Sequence, residues 1–153
     1  MKTYPGKFHI KTVTQTEKVT ALAYKTLLLT ATKNTISLQN TTTDTAASIN
    51  TPNTTCAQWY PLDSLIYSTS SPKKLSVCDT HTMTPVADFE FNKVNAHSWD
   101  HSGRLIAVST PDGVTLVDLL IGSQIQSLRL PYTSGDTHSH SRDVIAAEWC
   151  PNT

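Results

Sequence analysis

The sequence predicts an all-β fold assembled from one repeated unit, and three observations support this prediction. Thr, Ser and Val are abundant, while long stretches of helix-forming residues at helical spacing are missing. A segment that starts with a β-branched residue and ends in an aromatic residue recurs after 35, 40 and 50 residues. A short turn and then an Asn or Asp follow the first three of these segments in the same order. Repeats of about 40 residues that hold several short strands are typical of the blades of a β-propeller.

The first strand of each unit is predicted from its aromatic end. These strands are expected at residues 19–24, 54–59, 94–99 and 144–149, and they end at Tyr24, Trp59, Trp99 and Trp149. We interpret the four aromatic residues as structural positions of the repeat, because the same residue type returns at the same place in each unit.

The second strand of each unit is a nearly unbroken apolar run, at residues 27–32, 65–70 and 105–110. Such a run is expected where sheets stack face to face and bury both sides of a strand. Turns at 33–34, 71–73 and 111–113 then lead to third strands at 36–38, 75–77 and 114–117. The last turn is Pro111-Asp112-Gly113, in which the glycine accepts the positive φ of a tight bend.

The third strands end at Asn40, Asp79 and Asp118, and outer fourth strands are expected at residues 46–49, 86–91 and 124–130. The two aspartates occupy the position of the second letter in the Trp-Asp pair of WD repeats. The preceding tryptophan is replaced in all three units, by Gln39, Cys78 and Val117. A seven-stranded sandwich would also explain short strands, but it would not explain an aromatic residue, a turn and an acidic residue that recur in order.

The predicted units span residues 17–50, 51–92 and 93–130, and a fourth begins within 140–153. His140 lies nine residues before Trp149, at the place of the His in the Gly-His pair of a WD repeat. The sequence therefore predicts about three and a half blades of a WD40-like propeller, and propellers need roughly 4–8 blades to close. We expect a fragment or a truncated product; completion of the ring by another chain is the lesser alternative.

Charge and composition exclude several functions. Lys plus Arg and Asp plus Glu both number 12, so a role based on nucleic-acid phosphate contacts is disfavoured. No segment approaches the apolar length of a membrane span, and the amino-terminal residues have no apolar core of a secretion signal. The three cysteines, Cys56, Cys78 and Cys150, are expected to be buried reduced thiols of a cytosolic or nuclear protein.

We find no catalytic, cofactor or metal site in the sequence. His138 and His140 could share a strand face, but no further Cys or His lies within ten residues to complete a metal site. The glycines are isolated, so neither a nucleophile elbow nor a phosphate-binding loop is predicted. Asp88 and Glu90 alternate with phenylalanines, as on an outer strand with one solvated face. Lys73 and Lys74 form a two-residue basic step that is expected in a turn, and together with His81 they are weak candidates for partner contact.

Residues 54–151 resemble one particular family of WD-repeat proteins. Gln58-Trp59-Tyr60-Pro61, the segments 68–71, 74–83 and 87–91, and Trp149-Cys150-Pro151 are similar in order and spacing to blades of the Cockayne syndrome A-type substrate receptors of cullin-4 RING ubiquitin ligases. The resemblance implies a seven-bladed propeller without catalytic activity of its own, acting in the nucleus in transcription-coupled nucleotide excision repair. Its implied partners are the cullin-4 ligase adaptor and a client of the repair machinery.

Two other functions stay open at this stage. A generic WD-repeat scaffold in another nuclear or cytoplasmic complex is the first, because one fold serves many functions. A propeller hydrolase is the second, and the missing nucleophile motifs make it the weaker alternative.

Overall fold

The structure, a computed structural model, describes residues 17–129 and 144–150. Its described secondary structure consists of twelve strands in three four-stranded sheets. Sheet 1 contains β1 (Val19–Tyr24), β2 (Leu28–Thr32), β3 (Thr35–Gln39) and β4 (Ala46–Asn50). Sheet 2 contains β5 (Cys56–Trp59), β6 (Ile66–Ser71), β7 (Lys74–Asp79) and β8 (Pro85–Glu90). Sheet 3 contains β9 (Ala96–Trp99), β10 (Leu105–Thr110), β11 (Gly113–Asp118) and β12 (Ser123–Arg129).

Each sheet is an antiparallel meander in chain order, so the predicted all-β fold is confirmed. Two details of the prediction were wrong. β5 and β9 begin two residues later than expected, because Thr55 and Asn95 belong to the connections, where their amides donate to Ser70 O and Ser109 O. The two-residue step of Lys73 and Lys74 was expected in a turn, whereas Lys74 is the first residue of β7.

The turn after each third strand is built the same way in all three sheets. The side-chain oxygen of Asn40, Asp79 or Asp118 accepts a backbone N–H two or three residues later, at 2.7 to 2.9 Å. Four residues after each, the backbone has positive φ: 61° at Asp44, 56° at Met83 and 71° at Gly122. Short side chains with an oxygen acceptor favour such turns, which explains why this position repeats as Asn or Asp.

Two apolar clusters fill the spaces between neighbouring sheets. The first joins residues of β2 and β3, such as Leu29 and Ile36, to Trp59 and Tyr67 of sheet 2. The second joins Leu75 and Phe89 of sheet 2 to residues of sheet 3. The second strands have buried residues on both faces, as the unbroken apolar runs predicted. Burial of apolar surface between stacked sheets is therefore the main force that holds the molecule together.

Residues 144–150 lie against β9 but are not a strand, which corrects the prediction for 144–149. The indole Nε1 of Trp149 donates to Ser98 O at 2.9 Å, as Trp59 Nε1 donates to Ala23 O at 3.3 Å. Asn95 Nδ2 also donates to Val144 O at 2.7 Å. A strand requires a hydrogen-bonded neighbour, and the described residues offer this segment side-chain contacts instead of a strand pairing.

The leading face of sheet 1 is exposed. Trp59 and Trp99 are 9 % and 7 % exposed because each packs on the preceding sheet, whereas Tyr24, at the equivalent position, is 65 % exposed. Leu22, two residues earlier on the same face, is also 65 % exposed. Among the three aromatic ends of the first strands, Tyr24 therefore differs in having no sheet against it in the described structure.

Candidate functional site

The sheets present two different ends to solvent. One end, which we call the hairpin end, carries the turns 33–34, 72–73 and 111–112 and the connections 51–55 and 91–95 between sheets. The other, which we call the turn end, carries the remaining connections within the sheets. Because all strands are antiparallel and run in chain order, equivalent loops of the sheets collect at the same end.

Two grooves open at the hairpin end, one at each junction between sheets. The groove between sheets 1 and 2 has a volume of about 580 Å³ and is lined by Lys18, Lys33, Asn34, Asn53 and Pro72 among others. The groove between sheets 2 and 3 has a volume of about 410 Å³, and both acidic and basic side chains line it. Volumes of this size are typical of ligand-binding clefts.

The partner-contact residues predicted from the sequence do not form one surface. Lys73 lies exposed in the β6–β7 turn at the hairpin end; Asp112, predicted as a structural position of the repeat and not as a partner contact, lies exposed in the β10–β11 turn at the same end. His81 is exposed at the turn end, at the opposite edge of sheet 2. Lys74 forms an ion pair with Asp88 at 2.8 Å, so its charge is already compensated. His140 lies outside the described residues.

Aspartates dominate the turn end, and their carboxylates are occupied by the fold. Asp118 is 1 % exposed and accepts from Arg104 Nε and Nη2 at 2.9 and 2.7 Å. The guanidinium of Arg104 holds the pKa of the Asp118 carboxyl below its ordinary value. The pKa of Asp79 is lowered mainly by the backbone and hydroxyl hydrogen bonds of Thr82. These carboxylates therefore stabilise turns, and Arg104 is a structural residue that the sequence analysis missed.

Loops at the turn end also connect each unit to the next. Lys25 Nζ donates to three carbonyl oxygens of the following sheet, those of Tyr60, Pro61 and Asp63, at 3.0, 2.8 and 2.9 Å. The Tyr60 ring in turn meets Trp99 edge to face, with a centroid distance of 5.1 Å. His101 Nε2 contacts Cys150 O at 3.2 Å. These contacts pre-organise the β1–β2, β5–β6 and β9–β10 loops of the turn end.

Large apolar side chains are exposed on this surface. Leu62 and Leu65 in the β5–β6 connection are 62 % and 68 % exposed, and Leu120 and Ile121 in the β11–β12 turn are 78 % and 62 % exposed. The β3–β4 turn carries only polar residues, and the one apolar residue of the β7–β8 turn, Met83, is buried. Exposed apolar side chains are not needed for turn geometry, and clusters of them are typical of interaction surfaces.

His97 is the buried polar residue that the sequence analysis failed to single out. It lies between sheets 2 and 3, 2 % exposed, with Nε2 2.7 Å from Ser68 Oγ and Nδ1 3.1 Å from Ser70 Oγ. Trp99 Nε1 donates to the same Ser68 hydroxyl at 2.7 Å. Burial lowers the pKa of His97 to about 4. The period-two alternation with Trp99 could have placed His97 on the buried face.

This histidine is 2 % exposed and has no carboxylate partner in the part of the chain that the structure describes, so it has the environment of a structural residue rather than of a catalytic base. The described residues contain no cluster of His, Cys, Asp and Glu that could hold a metal ion. Within the same ranges no helix is long and apolar enough to cross a membrane.

The cysteines are free, but the expectation that all three are buried was wrong. Cys78 is buried, Cys56 is half-buried and Cys150 is exposed. Burial raises the pKa of the Cys56 and Cys78 thiols. Cys150 is exposed because it lies in the segment that packs on sheet 3 by one side only among the described residues.

Comparison with solved structures identifies the architecture. The chain is similar to the WD40 domain of coronin from Toxoplasma gondii, with a TM-score of 0.64 and 16 % sequence identity. The match covers 73 % of this chain and 34 % of the coronin chain. The protein has a WD40-like β-propeller fold. Its three sheets are blades of this fold, and the chain spans about a third of the length of the matched domain.

The WD40-like fold by itself does not specify a function, because one fold serves many functions. WD40 domains are generally protein-interaction scaffolds, and they are typically not catalytic. No family model matches the sequence, and no curated protein matches it. At 16 % identity the likeness to coronin concerns the fold alone.

Proposed function

We propose that this protein is the substrate-receptor subunit of a cullin-4 RING ubiquitin ligase that acts in transcription-coupled nucleotide excision repair in the nucleus. The observation that carries the proposal is the turn end, where Leu62, Leu65, Leu120 and Ile121 are each more than 60 % exposed, and where Lys25 of sheet 1 holds the loop that carries Leu62. The WD40-like fold and the similarity of residues 54–151 to the Cockayne syndrome A-type receptors support it.

A receptor of this kind acts by positioning. One surface of the propeller docks on the ligase adaptor, another holds the client, and a separate catalytic module transfers ubiquitin. The receptor needs rigidity and two accessible surfaces, but no nucleophile and no metal. The hairpin end and the turn end provide two such surfaces on opposite sides of the sheets. A rigid platform also binds with less loss of conformational entropy than a flexible one.

We assign the adaptor to the turn end, because its exposed leucines offer the apolar centre that a stable protein interface needs. The test is co-purification of the tagged chain with the cullin-4 adaptor. Leu120→Ser/Ile121→Ser is expected to reduce adaptor recovery about tenfold, since buried apolar anchors dominate interface energies. Val86→Ser is the matched control, because Val86 is 61 % exposed but lies on the outer strand β8. Equal loss in both variants would contradict the assignment.

A WD-repeat scaffold of another complex is the second candidate. One sequence observation favours it: the Trp-Asp-x-Arg box typical of adaptor-binding receptors is absent, because Thr80-His81 follow Asp79 and Leu119-Leu120 follow Asp118. If the folded chain retains no adaptor under conditions in which a known receptor does, the ligase role is excluded and the scaffold role remains.

A further inference from the structure

Three lysines without a charged partner among the described residues lie at or next to the groove between sheets 1 and 2. Lys18 and Lys33 line this groove, and Lys73 is the residue after Pro72, which also lines it. None of the three forms an ion pair or side-chain hydrogen bond with any residue that the structure describes, and all three are exposed. In contrast, Lys25 donates to three carbonyls, Lys74 pairs with Asp88, and Arg104 pairs with Asp118. Among the residues that the structure describes, the uncompensated lysine charge therefore lies at the hairpin end.

The groove is also held in a fixed shape. Thr20 Oγ1 donates to Ala31 O in sheet 1 and to Thr54 O at the start of sheet 2, at 3.2 and 3.3 Å. The connection between the sheets is fixed by two amides, Thr51 N to Asn34 O at 2.7 Å and Thr54 N to Lys33 O at 3.1 Å. A cleft with walls fixed by hydrogen bonds binds a ligand without first paying an ordering cost.

Polar groups at the groove remain available to a ligand. The side-chain amides of Asn34 and Asn53 make no hydrogen bond within the described residues, and both are exposed. The acidic residue that lines the groove, Glu17, already accepts the Thr32 hydroxyl at 2.8 Å. The groove thus offers cationic and amide donors, and the carboxylate of Glu17, the one acidic residue among its described lining residues, is turned to the protein.

We propose that this groove binds an acidic, extended segment of a partner protein. Carboxylates of such a segment would pair with the three lysines, while its backbone carbonyls would accept from the two asparagines. Nucleic acid is the less suitable anionic partner, because the described residues that line the groove include no aromatic side chain on which a base could stack. The inference rests on the proposed scaffold function and specifies the chemistry of a client at the hairpin end.

Fluorescence anisotropy with a labelled oligoglutamate peptide tests the proposal directly. The full chain is expected to bind the peptide, and binding is expected to weaken as salt rises, because exposed charges are screened. The triple variant Lys18→Glu/Lys33→Glu/Lys73→Glu is expected to raise Kd at least about tenfold. An oligoglutamine peptide of equal length should bind weakly to both proteins. A triple variant that binds oligoglutamate as tightly as the wild type overturns the proposal.

Single charge reversals provide the matched control. Lys33→Glu is expected to raise Kd about threefold, whereas Lys93→Glu, at the other groove of the same end, is expected to change it little. Equal effects of the two variants would show that only net charge matters and would overturn the site. Tighter binding of oligothymidylate than of oligoglutamate would also overturn it. The co-purification experiment changes residues at the turn end instead. A chain that does not retain the adaptor can therefore still bind the peptide, so failure of the proposed ligase function can be distinguished from failure of the proposed peptide site.

Discussion

The buried side chain of His97 is expected to make the stability of this fold depend on pH. Its imidazole is enclosed between sheets 2 and 3 and contacts Ser68 and Ser70 on its two nitrogens. In the equivalent first strand of sheet 2 the same position is Ala57, and the repeat places Ala147 there in residues 144–150. Ser109, which corresponds to Ser70, is buried and its hydroxyl has no hydrogen-bond partner among the described residues. His97 therefore contacts serine hydroxyls of sheet 2 at hydrogen-bond distance, whereas the equivalent hydroxyl of sheet 3, that of Ser109, has no hydrogen-bond partner among the described residues.

We expect the protein to lose stability as the pH falls from about 6.5 to about 4, the pKa of folded His97. The unfolded chain takes up a proton on this histidine near pH 6.5, while the folded protein resists protonation until about pH 4 because the site is dry. Because the unfolded chain takes up this proton first, His97 is expected to lower the free energy of unfolding by about 2 kcal/mol between pH 7 and pH 5. Urea unfolding at both pH values measures it.

The control for this prediction is His97→Asn. Asparagine keeps a donor and an acceptor near the two serines but does not titrate. The variant is expected to be less stable than the wild type at pH 7, yet its free energy of unfolding should differ little between pH 7 and pH 5. A variant with the same pH dependence as the wild type would show that another group is responsible.

At the scale of the element, the loop 100–104 depends on a glycine. Gly103 has φ of 73°, and a Cβ added there would lie 2.3 Å from Cε2 of the Tyr60 ring. Gly122 has φ of 71° but no atom within 4 Å of such a Cβ. A side chain at Gly122 would therefore meet only the strain of a positive φ, whereas a side chain at Gly103 would meet both this strain and a clash with Tyr60.

We expect Gly122→Ala to destabilise the protein by about 1 kcal/mol, the cost of left-handed backbone at a residue with a side chain. Gly103→Ala is expected to cost at least about 1 kcal/mol more, since the Tyr60 ring must leave its edge-to-face contact with Trp99. Thermal unfolding of both variants measures the difference. Equal destabilisation of the two variants would mean that Tyr60 moves aside freely and that this contact does not hold the loop.

The turns were predictable from local sequence, since Asn40, Asp79 and Asp118 provide a nearby acceptor at the end of each third strand. The contacts between loops of different sheets could not be predicted from local sequence. Lys25 of sheet 1 binds carbonyls of sheet 2 that lie 35 to 38 residues away. No short motif encodes such pairs, because the atoms meet only after the sheets have stacked.

At the scale of the whole molecule, the leading face of sheet 1 is the feature with the largest expected consequence. Leu22 and Tyr24 are each 65 % exposed where the other sheets bury the equivalent residues. We expect the purified 153-residue chain to self-associate through this face, because exposed apolar sheet surface promotes association. Light scattering coupled to size-exclusion chromatography measures the mass.

The variant Leu22→Ser/Tyr24→Ser is expected to shift the protein towards the monomer. Val86→Ser is again the control, because it removes a similarly exposed apolar side chain from the outer strand of sheet 2. A wild-type chain that is monomeric at micromolar concentration, or a double variant that associates as strongly as the wild type, would contradict this role of the face.

The amino-acid sequence by itself determined the all-β class, the repeat, and most strands and their turns, because period-two alternation, apolar runs and turn residues act over a few neighbouring residues. Only the tertiary structure decided which lysines stay unpaired, where the grooves open and that His97 is enclosed. Those properties depend on distances between sheets, and residues in different units come together only when the apolar faces stack. The grooves and the enclosed position of His97 therefore depend on how the sheets stack, whereas the all-β class follows from the local sequence pattern.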